Sequence, residues 1–438
     1  MRFIHDSTSA RPTSSLRALR ALAFVVVAIT MVTAAACDTQ RLLDVSTPNN
    51  VPVAILDDPA NAILMVNSAI TDFECAYSSA VLVEGIISDE LADAQLGAAG
   101  WPYDRRDANT QTNGIYGSNG CNSAQNPGIY TPLATARWDA DHAVKNLTGY
   151  SDAQVPTRQL LLAQSNLYAG FSYAMMGVSM CQAAFDLGPA VDQKGMFALA
   201  EQRFTAAIAA GQGAGNTAIV TAAYGGRARV RLYQGNNAGA ATDAALVPPG
   251  FVYNATYDVT NARRYNRVFS STAQFGNYTV ENQSLNLKTE NGEVDPRSQS
   301  NLTTTRPADA KSQIYVPVKY AADGAVPIPM LAYKEAQLIL AEAQGGASAV
   351  TIINAMRTTA GLKPYIGATD AASIKSLIID ERRRVLFAEG LRNYDIQRFN
   401  IPFNPAVGTP FPIKGGTYGN TVCLPLPDVE RFNNPNIT

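Results

Sequence analysis

Residues 378–399 read IIDERRRVLFAEGLRNYDIQRF and form the most informative segment of this chain. With the residues before them they make a helical pattern in which Ile374, Leu377 and Val385 lie on one face. Glu381 falls in the same apolar row, and a carboxylate buried there needs a charged or hydrogen-bonding partner. Guanidinium groups bind carboxylates through paired hydrogen bonds, and the segment is rich in arginine. We therefore predict a buried ion network with the members Glu381, Arg384, Glu389, Arg392, Asp395 and Arg398.

This network is interpreted as structural rather than catalytic. Two carboxyl groups about 5–9 Å apart across a cleft can cleave a glycosidic bond, which is the alternative role for these acids. Arginines close in sequence lower the pKa of each acid, however, and a low pKa makes a poor general acid. No HExxH, GxSxG or Walker sequence is present, and His142 is the one histidine left beyond the leader as a base for a Ser–His–Asp triad. We predict no catalytic residue.

Helical periodicity dominates two parts of the chain, at about 155–250 and about 331–400. The first contains RQLLLAQSNLYAGFSYAMMGVSMC, which is apolar or small around nearly its whole circumference and therefore predicts a buried helix. Further on, Ala228, Gly235 and Ala240 stand seven and five residues apart, a spacing typical of a tetratricopeptide helix pair. Small residues let two helices approach closely, and glycine permits the tight turn between them. Both parts are predicted to be helix-pair regions.

Two loop-rich insertions, at about 92–132 and about 251–330, separate the helical parts. The second insertion alternates aromatic and β-branched residues, a pattern that predicts short strands. Trp138 lies in the helical segment that follows the first insertion, and we assign its side chain to the core. The first is dense in Gly, Asn and Pro but also in aromatic residues, which argues against disorder. Aromatic rings can pack against sugars while polar neighbours bind hydroxyls; alternatively, the rings attach the loop to the protein body. The predicted ligand-binding residues are Trp101, Tyr103, Arg105, Tyr116 and Tyr130.

The amino terminus has the composition of an export signal. Four arginines precede the apolar run at 21–33, which as a helix spans only about 20 Å of a bilayer core about 30 Å thick. Cleavage before Cys37 makes that cysteine the first mature residue, as in the bacterial lipobox, although Ala34 stands where the lipobox usually has a larger apolar residue. We predict a lipoprotein signal peptide at 1–36 and a lipid anchor on Cys37. The alternative is a secreted protein with a free amino-terminal thiol.

Composition excludes several classes of function. The 438 residues include 34 basic and 36 acidic side chains, and loss of residues 1–36 removes four arginines and one aspartate, which leaves a net charge of −5. Without a basic run after the leader, nucleic acid is not an expected partner.

Four cysteines remain, and their even number predicts two disulfides outside the cytoplasm. Three pairings are possible, and we favour Cys75 with Cys121 and Cys181 with Cys423; the spacings match no zinc site, and no metal or cofactor is predicted.

Four segments of the carboxy-terminal third resemble the RagB/SusD family. They are EAQLILAEA at 335–343, IINAMRTTAGL at 352–362, the segment at 378–399, and CLPLPDVERFNNPNIT at 423–438. The chain departs from the family at Ala332, where arginine is frequent, and in its short turn QGGASAV. The resemblance implies a mainly α, SusD-like fold with tetratricopeptide-like helix pairs packed with a loop-rich region containing short β-strands. We accordingly assign residues 37–438 to a single domain.

The same resemblance implies a function without catalysis. Proteins of this family are outer-membrane lipoproteins of Bacteroidota that face the cell exterior, cap a TonB-dependent (SusC-like) transporter β-barrel and deliver an oligosaccharide, peptide or other nutrient to it. We therefore expect a nutrient-binding lipoprotein with a glycan ligand, held in the outer membrane through Cys37, and not an enzyme. The alternatives are a surface-anchored glycan hydrolase and a helical-repeat adaptor that binds protein.

Overall fold

A computed structural model of the chain describes residues 53–97, 101–109, 115–412, 414–432 and 434–437. The predicted signal peptide at 1–36 and the predicted lipid anchor Cys37 lie outside the described residues. The chain divides into two compact units, residues 1–55 and residues 56–438. The packing reported below is that of the second unit.

The secondary structure is mainly α-helical, which confirms the predicted fold class. Side-chain caps begin several of the helices: the carboxylates of Asp192 and Asp370 accept backbone N–H groups of the first turn, which lack partners within the helix. In chain order the helices are α1 (Val53–Leu56), α2 (Ala62–Ile87), α3 (Trp101–Asp104), α4 (Ile115–Ser118), α5 (Tyr130–Gly149), α6 (Arg158–Ser179), α7 (Gln193–Gly213), α8 (Thr217–Tyr233), α9 (Asn237–Ala244), α10 (Arg267–Phe269), α11 (Tyr333–Gln344), α12 (Gly346–Thr359), α13 (Ala371–Val385), α14 (Arg392–Phe399) and α15 (Asp428–Arg431).

Short strands pair across the loop-rich regions instead of forming a layer of their own. In the described part of the chain they make antiparallel sheets of two strands each. The pairs are β1 (Leu91–Asp93) with β5 (Tyr278–Val280), β2 (Gln182–Ala183) with β3 (Val191–Asp192), β4 (Val252–Ala255) with β8 (Ile328–Ala332), and β6 (Ser300–Leu302) with β7 (Tyr315–Pro317). In the first sheet Leu91 lies opposite Val280, so this sheet joins the two predicted loop-rich insertions.

Successive long helices pack against one another from α2 to α13. Small residues make the close approach possible. The ring of Phe204 in α7 meets Phe171 of α6 edge to face with centroids 5.0 Å apart. Gly170 of α6 and Gly226 of α8 face the same ring, and a Cβ at these positions would lie 2.7 Å and 2.6 Å from it. The turn from α8 to α9 contains Gly235 at φ 83°, a conformation that favours glycine.

Both disulfides favoured by the sequence are present. Cys75 in α2 is bonded to Cys121, with 5.6 Å between their Cα atoms, and Cys181 is bonded to Cys423. The second bond is accompanied by backbone hydrogen bonds, one of which runs from the N–H of Cys181 to the carbonyl of Leu424 (2.8 Å). The carboxy-terminal tail is therefore attached to the end of α6.

Glu381 is the centre of a buried ion network, and its main partners come from outside its own helix. Its carboxylate accepts from Arg357 of α12 (2.7 Å) and from Arg297 in the 3₁₀ turn at 296–298 (2.8 Å). Arg384, one turn away in α13, donates to it as well (2.9 Å). Arg357 is also bound by both carboxylate oxygens of Glu290 (2.6 and 2.9 Å). The network thus joins two helices to the second loop-rich insertion.

Asp395, the acid of the predicted network that lies in α14, also has arginine partners. Asp395 accepts from Arg382 (2.7 Å) and from Arg398 (2.8 Å). Arg392, at the start of the same helix, binds both carboxylate oxygens of Asp89 (2.7 and 2.9 Å). Since Asp89 follows α2 and precedes β1, this contact connects the carboxy-terminal helices to the first loop-rich insertion.

Glu389 differs from the expectation, because its partners are lysines. Its carboxylate pairs with Lys319 (2.8 Å) and with Lys334 of α11. Burial opposes ionisation of this group, but the two ammonium groups outweigh it and hold the pKa of Glu389 below its usual value. We expected arginine partners because several arginines are close to Glu389 in the sequence. Instead, the turn after α13 brings this carboxylate beside Lys334 in α11 and Lys319 in the segment after β7.

Replacing Glu381 by Gln tests the network. The substitution removes the negative charge that Arg297, Arg357 and Arg384 share, and leaves the fully buried Arg357 side chain with the partly exposed Glu290 as its remaining carboxylate partner. Breaking a buried ion pair in this way costs about 3–5 kcal/mol, so we expect a fall of that size in the free energy of unfolding, measured by urea denaturation. Asp380→Asn, at an exposed position of the same helix, is the matched control with an expected change of about 0.5 kcal/mol or less. Equal effects of the two substitutions would contradict a stabilising network.

Candidate functional site

A cavity of about 520 Å³ lies where the two loop-rich insertions meet the carboxy-terminal loop 405–418. We call it the loop cavity. Its walls are the β1–β5 sheet, the segment from 309 to β7, and the loop 405–418. The polar and aromatic side chains that line it are Asp93, Asp104, Thr279, Glu281, Asn282, Asp309, Ser312, Gln313, Tyr315, Thr409, Phe411, Lys414 and Tyr418.

Two aspartates and a lysine form one side of the loop cavity. Asp104, at the end of α3, accepts the backbone N–H of Asp93 (2.7 Å). The ammonium group of Lys414 donates to the backbone carbonyl of Asp93 (2.7 Å) and pairs with its carboxylate. The Lys414 side chain is 3% exposed and that of Asp93 is fully buried, so this ion pair belongs to the wall of the cavity.

Burial changes the protonation of the acids in this wall. It raises the pKa of Asp104 to about 8, against the hydrogen bond from the Asp93 N–H. Asp104 is therefore protonated at neutral pH and can donate a hydrogen bond. Burial also opposes ionisation of Asp309, but hydrogen bonds from Ser312 and from backbone N–H groups hold the pKa of Asp309 below its usual value. The cavity thus contains both a neutral and an ionised carboxyl group.

Aromatic rings stand beside these polar groups. Phe411 and Tyr418 meet edge to face with centroids 5.1 Å apart. Tyr315 is half-buried, and its hydroxyl lies 3.3 Å from the side-chain carbonyl of Gln313, which is exposed at the rim. Apolar rings next to a few fixed donors and acceptors are the usual composition of a small-molecule site. The loop cavity is suited to a ligand that has both apolar faces and hydroxyl groups.

Arg106 holds the carboxy-terminal loop in place, a role that the sequence analysis missed. Its guanidinium group donates to the carbonyl of Pro405 (2.5 Å) and lies over the rings of Phe403 (4.4 Å) and Tyr418 (4.7 Å). The backbone carbonyl of Arg106 also accepts from the N–H of Thr421 (3.0 Å). Arg105, which was predicted to bind ligand, pairs with Asp107 (2.7 Å) and does not line the loop cavity, so its ligand-binding role stays a prediction.

The structure corrects the ligand-binding role predicted for three tyrosines. Tyr103 and Tyr116 are fully buried, so their rings are inaccessible. Tyr130 is 2% exposed and lies in the wall of a second pocket beside Trp138, not in the lining of the loop cavity. The Tyr103 hydroxyl donates to the carbonyl of Pro127 (2.7 Å), within the same insertion. Burying an aromatic ring removes a large apolar area from water, which explains why these rings attach the loop to the protein body. The side chain of Trp101, the fourth predicted ring, lies outside the described residues.

Trp138 is also placed differently from the prediction. It was assigned to the core, but 42% of the residue is exposed, and its ring stacks on His142 with centroids 4.7 Å apart. The Nε2 atom of His142 lies 2.6 Å from a carboxylate oxygen of Asp57.

In the described residues there is no group of three or more side chains that could hold a metal ion, and no helix is both long and apolar enough to cross a membrane.

Much of the loop cavity comes from a segment that the sequence analysis did not select. Residues 404–419, NPAVGTPFPIKGGTYG, combine Pro, Gly and aromatic residues in the same way as the first insertion. This composition could have indicated that Phe411, Lys414 and Tyr418 belong to a ligand-binding loop. What composition does not reveal is the pairing of Lys414 with Asp93, which are 321 residues apart.

The pKa of Asp104 makes stability depend on pH. The folded state keeps this proton up to about pH 8, whereas an unfolded aspartate loses it near pH 4, so the folded state binds more protons in between. The free energy of unfolding therefore falls as pH rises from about 4 to about 8, by at most about 1.4 kcal/mol per pH unit from this group. Asp104→Asn cannot ionise and should lack this contribution. Urea denaturation of both proteins at pH 5 to 8 measures it, and parallel pH profiles would contradict the assignment.

Comparison with known proteins identifies the fold of the chain. No family model and no curated relative matches the sequence. Among solved structures, a SusD-like carbohydrate-binding protein from Bacteroides vulgatus has a TM-score of 0.65 at 16% identity and covers 87% of this chain and 97% of its own. A laminarin-binding SusD-like protein has a TM-score of 0.55 at 17% identity (86% and 98% covered), and a surface glycan-binding protein A from Bacteroides fluxus has 0.59 at 15% (78% and 89%). At these identities the likeness concerns the fold: the resemblance to the RagB/SusD family is confirmed at that level, and this chain has the SusD-like fold.

Proposed function

We propose that this chain is a glycan-binding lipoprotein of the outer membrane that takes an oligosaccharide into the loop cavity without cleaving it. The observation that carries the proposal is the cavity itself, in which aromatic rings stand beside carboxyl, amide and hydroxyl groups on a SusD-like fold. Sugars present apolar C–H faces and hydroxyl groups together, which such a lining can bind at once. Similar structures include carbohydrate-binding, laminarin-binding and glycan-binding proteins, which supports the same ligand class.

The partners of the cavity acids support binding rather than hydrolysis. A glycosidase needs one carboxyl group as acid and a second that is free to act as nucleophile or base. The Asp93 carboxylate is paired with Lys414, and the carboxylate of Asp309 accepts from the Ser312 hydroxyl (2.7 Å) and from the N–H of Lys311 (2.9 Å). Both groups are thus occupied by partners from the protein. The proposal therefore assigns no catalytic role to Asp93 or Asp309. Asp104 and Glu281 also line the cavity and form no ion pair among the described residues, so the assay for cleaved sugar described below tests them directly.

The remaining parts of the proposal concern the membrane and the transporter. A leader of the observed composition followed by Cys37 supports export and acylation, and each buried methylene of an acyl chain contributes about 0.8 kcal/mol to membrane binding. We propose that the anchored protein faces the cell exterior, caps a TonB-dependent, SusC-like transporter β-barrel and passes the oligosaccharide to it. The resemblance of the carboxy-terminal segments to the RagB/SusD family supports this partner.

Tyr315→Ala tests the cavity as the glycan site. We expect the wild-type protein to bind at least one of four neutral hexasaccharides, namely malto-, cello-, laminari- and mannohexaose, without releasing shorter products. Loss of the half-buried ring of Tyr315 should weaken that binding about tenfold, which corresponds to about 1.4 kcal/mol. Isothermal titration calorimetry measures the affinity, and chromatography of the incubated sugar detects cleavage.

Phe432→Ala is the matched control, because Phe432 is 80% exposed and does not line the loop cavity. It should leave the affinity unchanged. The ring of Tyr315 also packs against the core, so Tyr315→Ala should lower the unfolding temperature, and its binding is measured well below that transition, where the variant is folded. Equal binding by Tyr315→Ala and the wild type would contradict the assignment of the cavity. Release of shorter sugars would instead favour the glycan hydrolase.

Cys37→Ser tests the anchor and the partner. In the wild type we expect mass spectrometry to find acyl chains on the amino-terminal residue and a β-barrel transporter to copurify from detergent-solubilised outer membranes. The variant has no thiol to acylate and should appear in the soluble extract without the barrel. An unmodified amino terminus in a soluble wild-type protein would contradict the anchor while leaving glycan binding intact. Copurification with other proteins but no barrel would favour the adaptor.

A further inference from the structure

The charged groups that line the loop cavity are mostly acids. Asp93, Asp104, Glu281 and Asp309 contribute four carboxyl groups, and Lys414 contributes one ammonium group. The other lining residues are uncharged. With Asp104 protonated and Lys414 neutralising Asp93, a ligand in the cavity meets the negative charges of Glu281 and Asp309 without a compensating cation among the described lining residues.

The ammonium group of Lys414 is not available to a ligand. Its side chain is 3% exposed, and it is committed to the carboxylate and the carbonyl of Asp93. Arg106 lies behind the wall, 1% exposed, with its guanidinium group between the rings of Phe403 and Tyr418. Lys311 is exposed on the adjacent loop but does not line the cavity. Among the described residues, no lining side chain offers an uncommitted cation.

Glu281 is the half-buried acid among the charged residues that line the loop cavity. It follows β5, and its neighbour Asn282 is exposed at the rim of the cavity. No ion pair with Glu281 occurs within the part of the chain that the structure describes. Since the Asp93 charge is compensated by Lys414 and Asp309 is bonded to its own loop, Glu281 is the acid whose charge is least compensated.

Resting on the proposed function, we propose that the loop cavity takes neutral oligosaccharides and excludes glycans that carry carboxylate or sulfate groups. A ligand anion would lose water and gain no cation, while it approached carboxylates in a partly desolvated site. Like charges brought together in this way discriminate strongly between otherwise similar partners. Neutral hydroxyl groups, by contrast, donate to carboxylates and accept from the protonated carboxyl of Asp104 and the amides of Asn282 and Gln313.

A pair of sugars that differ only in charge tests this selection. The neutral probes are the four hexasaccharides named above, and each is compared with its counterpart oxidised to the uronate at C6. For the hexasaccharide that binds, we expect the uronate to bind about tenfold or more weakly in 50 mM NaCl, measured by isothermal titration calorimetry. The difference should narrow in 500 mM NaCl, because salt screens repulsion between partly exposed charges.

Glu281→Lys identifies the source of the exclusion. It should restore much of the affinity for the uronate, whereas Asp380→Lys, the same charge reversal at an exposed position outside the cavity, should not. A uronate that binds the wild type as tightly as its neutral counterpart would overturn this inference and leave the proposed function standing. The inference also fails if the two lysine variants respond equally. Absence of binding by every neutral hexasaccharide would instead overturn the proposed function, and the inference with it.

Discussion

The ion pair between Arg357 and Glu381 has no contact with solvent on either side, and the arrangement of the carboxy-terminal helices depends on it. Charges that are removed from water at this depth are tolerated only when every partner is in place, so they require one relative position of α12, α13 and the turn at 296–298. Arg357 and Arg297 each bind a second carboxylate, which extends the requirement into the loop-rich insertion. A shift of any of these elements would leave a buried charge without a partner.

A separate ion pair connects the carboxy-terminal helices to the loop cavity. Arg392 binds Asp89, and two residues further on β1 begins, whose last residue is the Asp93 of the cavity wall. The opposite wall is positioned by Arg106, which fixes the loop 405–418 through a carbonyl and two aromatic rings. Arg392 thus binds the residue that precedes one wall, and Arg106 binds the loop that forms another. Such supporting contacts give a site built on loops the rigidity that loops alone lack.

Predictions made from local sequence pattern agreed with the structure, whereas predictions of which aromatic rings are exposed did not. Helical periodicity and the row containing Glu381 are properties of neighbouring residues, and the helices and the buried carboxylate are found where those patterns lie. The tyrosines of the first insertion had equally suitable chemistry for a ligand, but an aromatic ring gains more from burial than from exposure unless something prevents it, and these three are buried. Trp138 shows the converse, since a helical position alone did not place it in the core.

The amino-acid sequence by itself determined the helical class, the need for an ion network and the expectation of two disulfides, because each follows from spacing, composition or the chemistry of single residues. Which cysteines pair was left open among three pairings, and the tertiary structure decided it. Tertiary structure alone decided that Glu389 pairs with lysines, that Arg106 supports a loop about 300 residues away, and that Asp93 and Lys414 share one wall of a cavity. These contacts join residues whose separation along the chain carries no periodic signal. They arise only when the packing of the helices brings the loops together, since burial then makes each charge require the partner that lies beside it.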